Sequence, residues 1–174
     1  MSLLEKARKS DFKRFKNGDL AVEHAVIIWT NFAGAPTRFN PAGGKRTFAL
    51  VLTEDIANEL KAEGWNVKFR DPKDPDDDPL IYTEIVVNMD SAYPPSVVLY
   101  SEFGGRKKSN SLDAESIGEL DRIEIDNVDL VIHPYVHGRP GPHSTKGYAK
   151  AIHVIQGQDG YFGAKYAEWG NDSE

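Results

Sequence analysis

The sequence has 174 residues, of which 40% are hydrophobic and 28% are charged, and this composition predicts one folded domain with a core rather than a disordered chain. The absence of cysteine excludes a disulfide framework, a thiolate metal site and a cysteine nucleophile. The N-terminus lacks the apolar run of a signal peptide, and no segment approaches the roughly 20 apolar residues of a membrane span, so we expect a cytoplasmic protein that binds no membrane.

The charged residues are unevenly distributed along the chain. The net charge of −6 would by itself argue against a nucleic-acid partner, so the distribution matters more than the sum. Residues 25–53 and 130–158 contain no Asp or Glu, whereas residues 71–79 contain five Asp and residues 111–129 contain seven acids. Basic groups release counterions from phosphates, and planar side chains stack on unpaired bases. The acid-free segments, which are basic and aromatic, therefore favour a single-stranded polyanion as the partner.

The first third of the chain predicts a basic arm followed by two strands. In residues 1–20, apolar residues recur at loosely helical spacing between basic ones, so this segment is either a short amphipathic helix or a flexible arm. Residues 23–30 and 47–52 are rich in β-branched and aromatic residues and predict strands. The Gly- and Pro-rich connection between them, residues 31–46, is longer than a tight hairpin, and long ordered loops are often functional.

A helix and several strands are predicted next. Thr53 is a plausible N-cap and Gly64 a plausible stop for a helix between them. Residues 65–70 alternate as a strand should. The acidic loop 71–79 lacks the order of residues found in an EF-hand, so no metal site is expected there. Strands are predicted over residues 80–88 and 96–101.

The second half of the chain predicts further strands with one more helix. Residues 103–110 predict a flexible basic loop and residues 111–120 a helix capped by Ser111. Residues 123–135 predict one long strand or two bent ones. After a Gly- and Pro-rich loop over 136–146, residues 147–155 predict a final strand with one face formed by Tyr148, Lys150, Ile152 and Val154.

These elements add up to six or seven strands and two short helices that do not alternate as βαβα units, which argues against a parallel doubly wound sheet. We therefore predict a mainly β fold, a small antiparallel OB-like barrel with one or two short helices. The predicted organisation is a basic N-terminal arm or short helix over 1–20, an OB-like nucleic-acid-binding domain over 21–158, and an aromatic, acidic-ended tail over 159–174.

Several short segments, in this order and spacing, resemble a family of bacteriophage single-stranded DNA-binding proteins. They are Asn31-Phe32-Ala33-Gly34 with Phe39-Asn40, Gly64-Trp65-Asn66-Val67-Lys68, Asn127-Val128-Asp129-Leu130 with Pro134-Tyr135, and Gly147-Tyr148-Ala149-Lys150. The resemblance spans about residues 25–158. It implies an OB fold, a non-catalytic role on single-stranded DNA in phage replication or recombination, and the cytoplasm of the host cell. Replication or recombination proteins and further copies of the chain are the protein partners that such a role suggests.

The residues themselves predict a sequence-tolerant cleft for single-stranded DNA, with no cofactor and no metal. The basic side chains expected to contact phosphates are Arg38, Lys45, Arg46, Lys68, Arg70, Arg106, Lys107, Lys108, Lys146 and Lys150. The aromatic side chains expected to stack on bases are Phe32, Phe39, Tyr82, Phe103, Tyr135 and Tyr148. Four other aromatics lie in apolar alternation and are expected in the core: Trp29, Phe48, Trp65 and Phe69.

Two other classes of function remain open at this point. A metal-dependent nuclease could use His133, His137 and His153, with His143 and Asp129 as further ligands, although the sequence contains no HExxH motif and no helical histidine pair. A non-catalytic structural or interaction protein of a phage would have a similar β-rich composition. The sequence also lacks the Walker A, GxGxxG and GxSxG motifs, so we expect no enzymatic activity and assign no catalytic residue.

Overall fold

The structure is a computed structural model, and it describes residues 1–157. Two α-helices and ten strands make up most of this part of the chain. Their bounds are α1 Leu3–Ala7, β1 Asp11–Arg14, β2 Leu20–Glu23, β3 Ile27–Asn31, β4 Thr47–Val51, α2 Glu54–Ala62, β5 Val67–Arg70, β6 Leu80–Val86, β7 Ser96–Phe103, β8 Arg106–Leu112, β9 Ile125–Val136 and β10 Thr145–Gln156, with a 3₁₀ helix at Ile117–Asp121 between β8 and β9.

All ten strands belong to one sheet, whose main path runs β1-β2-β9-β10-β6-β4-β3. Strand β5 pairs with β6, and the β7–β8 hairpin joins through β10. The pairs are antiparallel except for β10 with β6 and β10 with β7. The predicted mainly β, OB-like class is thus confirmed. The pairing among the described residues leaves the path open at β1 and β3, so the sheet is not a closed barrel.

The core is formed by buried residues of the sheet together with Leu4 of α1, Ile56 and Leu60 of α2, and Ile117 and Leu120 of the 3₁₀ helix. Phe48 and Trp65 are buried in it, as the alternation predicted. Gly147 on β10 is required by the packing, because a Cβ atom there would lie 2.7 Å from both Ile132 and Trp65. The absence of a side chain at this position lets the indole of Trp65 pack directly beneath β10, and so fixes α2 against the sheet.

The N-terminal segment is part of the fold. Ser2 caps α1 by accepting a hydrogen bond from the Glu5 backbone N–H at 3.1 Å, and Leu4 and Ala7 are buried. Strand β1 then pairs with β2 as a hairpin. Of the two alternatives predicted for these residues, the structure therefore shows the short helix and not the flexible arm.

Three predicted elements differ from the structure. The single strand predicted over 23–30 is divided by His24, whose φ of 55° separates β2 from β3. The loop predicted over 103–110 is a hairpin that turns at Gly104 and Gly105, both with positive φ, and continues as β8. The helix predicted over 111–120 is wrong except for the 3₁₀ turn at Ile117–Asp121.

The reason for the missing helix is local hydrogen bonding. The carboxylate of Asp113 accepts hydrogen bonds from the backbone N–H groups of Glu115 and Ser116 and from the Ser116 hydroxyl, at 2.9–3.0 Å. These bonds lower the pKa of Asp113, the hydroxyl of Ser116 contributing most. An Asp that bonds the next backbone groups in this way stabilises a turn in competition with a helix.

Strand β10 contains a bulge that the sequence pattern did not reveal. Its register against β9 shifts between Ala149 and Ala151, so Lys150 has no partner residue in β9. Ile152 and Val154 therefore point into the core, on the opposite face from Tyr148. The predicted single face of Tyr148, Lys150, Ile152 and Val154 is wrong for this reason, since one extra residue exchanges the two faces of a strand.

No helix in residues 1–157 has the length and apolar character needed to cross a bilayer. The tail predicted over 159–174 lies outside the described residues.

Candidate nucleic-acid interface

A bulge in β3 places Trp29 on the surface. The register between β3 and β4 shifts between Ile28 and Asn31, and Trp29 within this shift has a φ of 51°. A positive φ is strained for a bulky residue, and such strain is concentrated at functional sites. The indole is 53% exposed, so the prediction that Trp29 belongs to the core is wrong.

The exposed indole is part of a small cluster with Tyr82 and Arg70. Its ring centroid lies 5.0 Å from that of Tyr82 in an edge-to-face arrangement, and the Arg70 guanidinium carbon lies 5.4 Å from its centroid. The register of β5 against β6 pairs Lys68 with Tyr82, so Lys68 and Arg70 share the face of Tyr82. Two cations and two rings therefore meet on one side of β3, β5 and β6.

Phe69 lies on the other side of β5 from this cluster, opposite Ile81 in the register. It is 62% exposed, because β5 has β6 as its one neighbour among the described strands. The prediction that Phe69 belongs to the core is thus wrong as well. Its ring is exposed, on the opposite face from Trp29.

A second aromatic cluster lies on β9 and β10. The rings of Tyr135 and Tyr148 have centroids 5.6 Å apart. The imidazole of His137 lies 4.9 Å from Tyr135 and 5.9 Å from Tyr148, and its Nε2 is 3.1 Å from the Tyr148 hydroxyl. Tyr135 is exposed, so this cluster also offers aromatic surface to a planar ligand.

Glu84 and two lysines connect the two clusters. The Glu84 carboxylate on β6 lies 3.4 Å from Nζ of Lys45 and 3.9 Å from Nζ of Lys146. Tyr148 pairs with Val86 in the parallel β6–β10 ladder, two positions along the face from Glu84. We call the surface formed by these side chains the aromatic face: Trp29, Lys45, Lys68, Arg70, Tyr82, Glu84, Tyr135, His137, Lys146 and Tyr148.

The aromatic face is wide enough for several nucleotides. Strands β3 and β9 are four positions apart in the sheet, and at about 4.8 Å per strand the face extends roughly 19 Å. Stacked nucleotides in one strand of DNA advance about 3.4 Å each along the helix axis, and unstacked nucleotides advance further. The face therefore matches a segment of at most about five nucleotides, within the range of site sizes known for OB folds.

Beyond Tyr148 the face ends in a pocket with a buried carboxylate beneath it. The pocket has a volume of about 510 Å³, and His133, Tyr135, Tyr148 and Lys150 form one of its walls. Asp19, at the start of β2, lies under this wall and is 4% exposed. One of its oxygens is 2.5 Å from His133 Nδ1 and the other is 3.3 Å from Lys150 Nζ.

Two of the predicted contact residues have structural roles instead. Phe32 is fully buried, with its ring 5.6 Å from that of Phe48, so the expectation that it stacks on a base does not hold in this structure. Arg46 has a largely buried side chain, which donates to the Ala114 carbonyl at 2.9 Å and lies 3.8 Å from Asp90. Both residues belong to the connection between β3 and β4, and their contacts attach this connection to the rest of the fold.

The remaining predicted residues are not among the side chains that define the aromatic face. Arg38 and Phe39 are exposed in the connection between β3 and β4. Phe103, Arg106, Lys107 and Lys108 belong to the β7–β8 hairpin. There, Lys107 and Lys108 line a groove together with Glu102, Glu124 and Asp126, so acids offset the positive charge at that end of the sheet. The structure thus brings together seven predicted residues: Lys45, Lys68, Arg70, Tyr82, Tyr135, Lys146 and Tyr148, with Lys150 at the edge.

The histidines considered for a nuclease do not converge. His133 is held by Asp19, His137 by Tyr148 and His153 by Tyr100, whose hydroxyl lies 2.9 Å from His153 Nδ1. Within residues 1–157, the group of three ligand-type side chains close enough to share a metal is Asp11, Glu23 and His24. That group is exposed and includes none of the three histidines.

The comparison with protein families decides the class of the chain. Residues 9–173 match the family described as "Putative phage ssDNA-binding domain". The chain belongs to this family. Single-stranded DNA binding is therefore its function class, and the family named from the sequence segments is confirmed.

Solved structures of one phage protein are similar to the chain at a distance. The single-stranded DNA-binding protein from bacteriophage Enc34 has 12% sequence identity and a TM-score of 0.48, over 87% of this chain and 93% of that one. Its C-terminal truncation has 14% identity and a TM-score of 0.46, over 88% and 98%. Its complex with ssDNA has 14% identity and a TM-score of 0.47, over 89% and 99%. No curated protein sequence matches the chain, and the family assignment rests on the family model.

The phage ssDNA-binding family is predictable from the sequence, but three residues at the interface are not. The sequence predicts Trp29 in the core, because nothing in the pattern of apolar residues around it reveals the bulge in β3. The sequence suggests His137 only as a metal ligand, and its position against Tyr135 and Tyr148 depends on the β9–β10 register. Asp19 carries no signal at all, because an isolated Asp near a turn is usually exposed.

Proposed function

We propose that single-stranded DNA binds across the aromatic face. Bases stack on Trp29 and Tyr82 at one end and on Tyr135 and Tyr148 at the other. Phosphates contact Lys68 and Arg70 beside the first cluster, and Lys45 and Lys146 between the two. Binding is sequence-tolerant, because every base has a π-face to stack and none of these side chains has to read a base edge.

The observation that carries this proposal is the conformation of Trp29. A buried tryptophan would add apolar contacts to the core, yet here a bulge and a strained φ hold the indole half exposed. The arrangement contributes little to packing, and it presents a large planar ring beside Arg70 and Lys68. Backbone strain of this kind is concentrated at functional sites. Stacking on a base is the function that suits an exposed indole close to basic side chains.

In a phage this activity would coat or protect single-stranded DNA during replication or recombination, in the cytoplasm of the host. Such a role implies further partners, namely replication or recombination proteins and additional copies of the chain along the strand. The acids of the chain are concentrated in the loop 71–79 and near residues 111–129, and Glu84 is the acid that stands within the aromatic face.

The test is a titration of a fluorescently labelled dT oligonucleotide at several salt concentrations, with duplex competitor and with Mg²⁺ present. We expect binding to the single strand, weak competition by duplex and an intact oligonucleotide. If about four phosphate contacts form, the slope of log K against log salt should be about −3, at roughly 0.7 per contact. Cleavage that requires Mg²⁺ would favour the nuclease instead. Absence of binding at low salt would refute the proposal and leave a structural role.

A further inference from the structure

The buried carboxylate of Asp19 lies at the end of the aromatic face, where a negative charge on its own would oppose DNA. Its position is fixed by the turn between β1 and β2. The Asp19 backbone N–H donates to Asn17 Oδ1 at 3.0 Å, and its carbonyl accepts from the Phe15 N–H at 3.0 Å. The backbone of Asp19 is therefore fixed by the β1–β2 turn, independently of the surface residues that its side chain contacts.

Both carboxylate oxygens of Asp19 are occupied. One accepts from His133 Nδ1 at 2.5 Å and the other from Lys150 Nζ at 3.3 Å. Burial raises the pKa of Asp19, but hydrogen bonds with His133, Asn17 and Lys150 outweigh it, and the net shift is downward. The group is thus an ionised acceptor at neutral pH, and His133 must carry a proton on Nδ1 to bond with it.

These contacts determine what the surface offers to a ligand. The side chains of His133 and Lys150 remain more than half exposed although their nitrogens are anchored. His133 lies directly opposite Tyr148 in the β9–β10 register, and Nε2 is the ring nitrogen left for a ligand. Lys150 stands in the β10 bulge, with no partner residue in β9 to orient it. Asp19 is therefore the group that fixes the direction of the Lys150 ammonium.

The pocket beside them is lined by side chains that can contact a nucleotide. The loop between β6 and β7 contributes Asn88, Ser91, Tyr93, Pro94 and Pro95 to its lining. A planar base would lie between the prolines of this loop and the ring of Tyr148. The ammonium of Lys150 would then be at the mouth of the pocket, where the sugar-phosphate backbone must pass.

We propose that this pocket is a preformed subsite for one nucleotide of the bound strand, with Lys150 as its phosphate ligand and Asp19 as the positioning residue that holds Lys150 in place. The proposal rests on the proposed function of the aromatic face and assigns one end of it. Asp19 strengthens DNA binding in spite of its charge, because a lysine that is already oriented loses less side-chain freedom when the phosphate binds.

The direction in which Asp19→Asn changes DNA affinity distinguishes a positioning role for Asp19 from a purely electrostatic one. Asp19→Asn keeps the shape of the side chain and removes one negative charge from the DNA side of the protein. If Asp19 acts only through its charge, this variant binds more tightly, with a steeper salt dependence because Lys150 is freed for phosphate. If Asp19 positions Lys150, the variant binds about two- to tenfold more weakly, the cost of ordering one or two side chains on binding.

The experiment is a double-mutant cycle of Asp19→Asn and Lys150→Met in the full chain, read by titration of a labelled dT oligonucleotide at fixed salt. The two- to tenfold loss from Asp19→Asn is expected in the wild-type background and should fall below about twofold in the Lys150→Met background. A gain of affinity on Asp19→Asn, no change, or an equal loss in both backgrounds would overturn the proposal. An equal loss would mean that Asp19 supports only the fold.

A comparison of lysines keeps the proposal testable if Asp19→Asn does not fold. Lys150→Gln should weaken binding more than Lys61→Gln, a matched change at an exposed lysine on α2. Equal small effects would overturn the subsite. If the wild-type chain binds no single-stranded DNA, the proposed function itself fails. If the wild type binds and the Asp19 and Lys150 variants behave like it, the subsite alone is wrong.

Discussion

Replacing Trp29 with alanine tests the aromatic face most directly. The indole is half exposed, so it is available to a base without rearrangement of the core. A base stacked on an aromatic side chain contributes about 1–3 kcal/mol as judged by alanine substitution, which corresponds to roughly a 5- to 150-fold loss of affinity. We expect Trp29→Ala to fall within this range, because the ring also holds Arg70, a proposed phosphate contact, in place.

The same substitution should lower the stability of the fold without unfolding it. Truncation of the side chain removes one edge-to-face pair with Tyr82 and one cation–π interaction with Arg70. Exposed interactions of these kinds are each worth about 0.5–1.5 kcal/mol. The strained φ stays in the alanine variant, so no compensating relief is expected. A decrease of about 1–3 kcal/mol in the free energy of unfolding, the sum of two such interactions, leaves the variant folded at the temperature of a binding assay.

Phe69→Ala is the matched control for Trp29→Ala. It removes an aromatic ring of similar exposure from β5, beside Arg70 but on the opposite face. Fluorescence anisotropy with a labelled dT oligonucleotide at fixed salt should show Phe69→Ala within about twofold of the wild type. Trp29→Ala binding as tightly as the wild type, or the two variants losing affinity equally, would refute the argument that the β3 bulge serves DNA binding.

Three further outcomes follow from the same geometry. Lys68→Gln should reduce the salt slope by about 0.7, because one phosphate contact is removed, whereas Lys61→Gln on α2 should leave the slope unchanged. Tyr148→Phe removes only the hydroxyl contact with His137, so its affinity should stay within about twofold of the wild type, and Tyr148→Ala should lose about 1–3 kcal/mol of binding free energy; equal losses in both would contradict stacking. The folded-state pKa of Asp19 is below its ordinary value of 3.8, so its contribution to stability is present above that value and disappears as the pH falls through the folded-state pKa. The free energy of unfolding, measured with urea at a series of pH values from neutral downward, should therefore decrease less in Asp19→Asn than in the wild type. An equal decrease in the two proteins would contradict this.

The sequence predicted much of the fold because its local signals agree with the packing. The helix that begins after Thr53 and ends before Gly64 is α2, since first-turn acids, an apolar stripe and a glycine with positive φ all favour the same boundaries. The strands predicted at 47–52 and 80–88 are β4 and β6 for a similar reason. The helix predicted at 111–120 failed because Asp113 makes a turn that composition alone does not reveal.

The aromatic face was predictable only in part, because register decides it. Lys68 and Tyr82 could be selected as a cation and a ring on predicted strands, and Tyr148 as a ring beside a Gly-containing loop. Their convergence depends on the pairing of β5 with β6 and of β6 with β10, and nothing local in the sequence specifies a parallel contact between distant strands. Phe32 illustrates the reverse case. It lies in a Gly-containing segment typical of a loop, yet the Asp121 carboxylate accepts from its backbone N–H at 3.0 Å and the ring is drawn into the core.

Both ends of the proposed DNA path depend on a bulge, and this connects the local irregularities to function. The bulge in β3 turns Trp29 toward solvent, and the bulge in β10 leaves Lys150 without a partner residue in β9. In a regular strand, strict alternation of side chains would decide which face Trp29 or Lys150 occupies. Moving either residue to the aromatic face would then move a neighbouring core residue out of the core. One extra residue allows Phe32, directly after β3, and Ile152 to keep their core positions while Trp29 and Lys150 are directed separately. The β-sheet core and the interface are therefore specified by different residues of the same strands, and substitutions at the two bulges should alter DNA binding without altering the sheet.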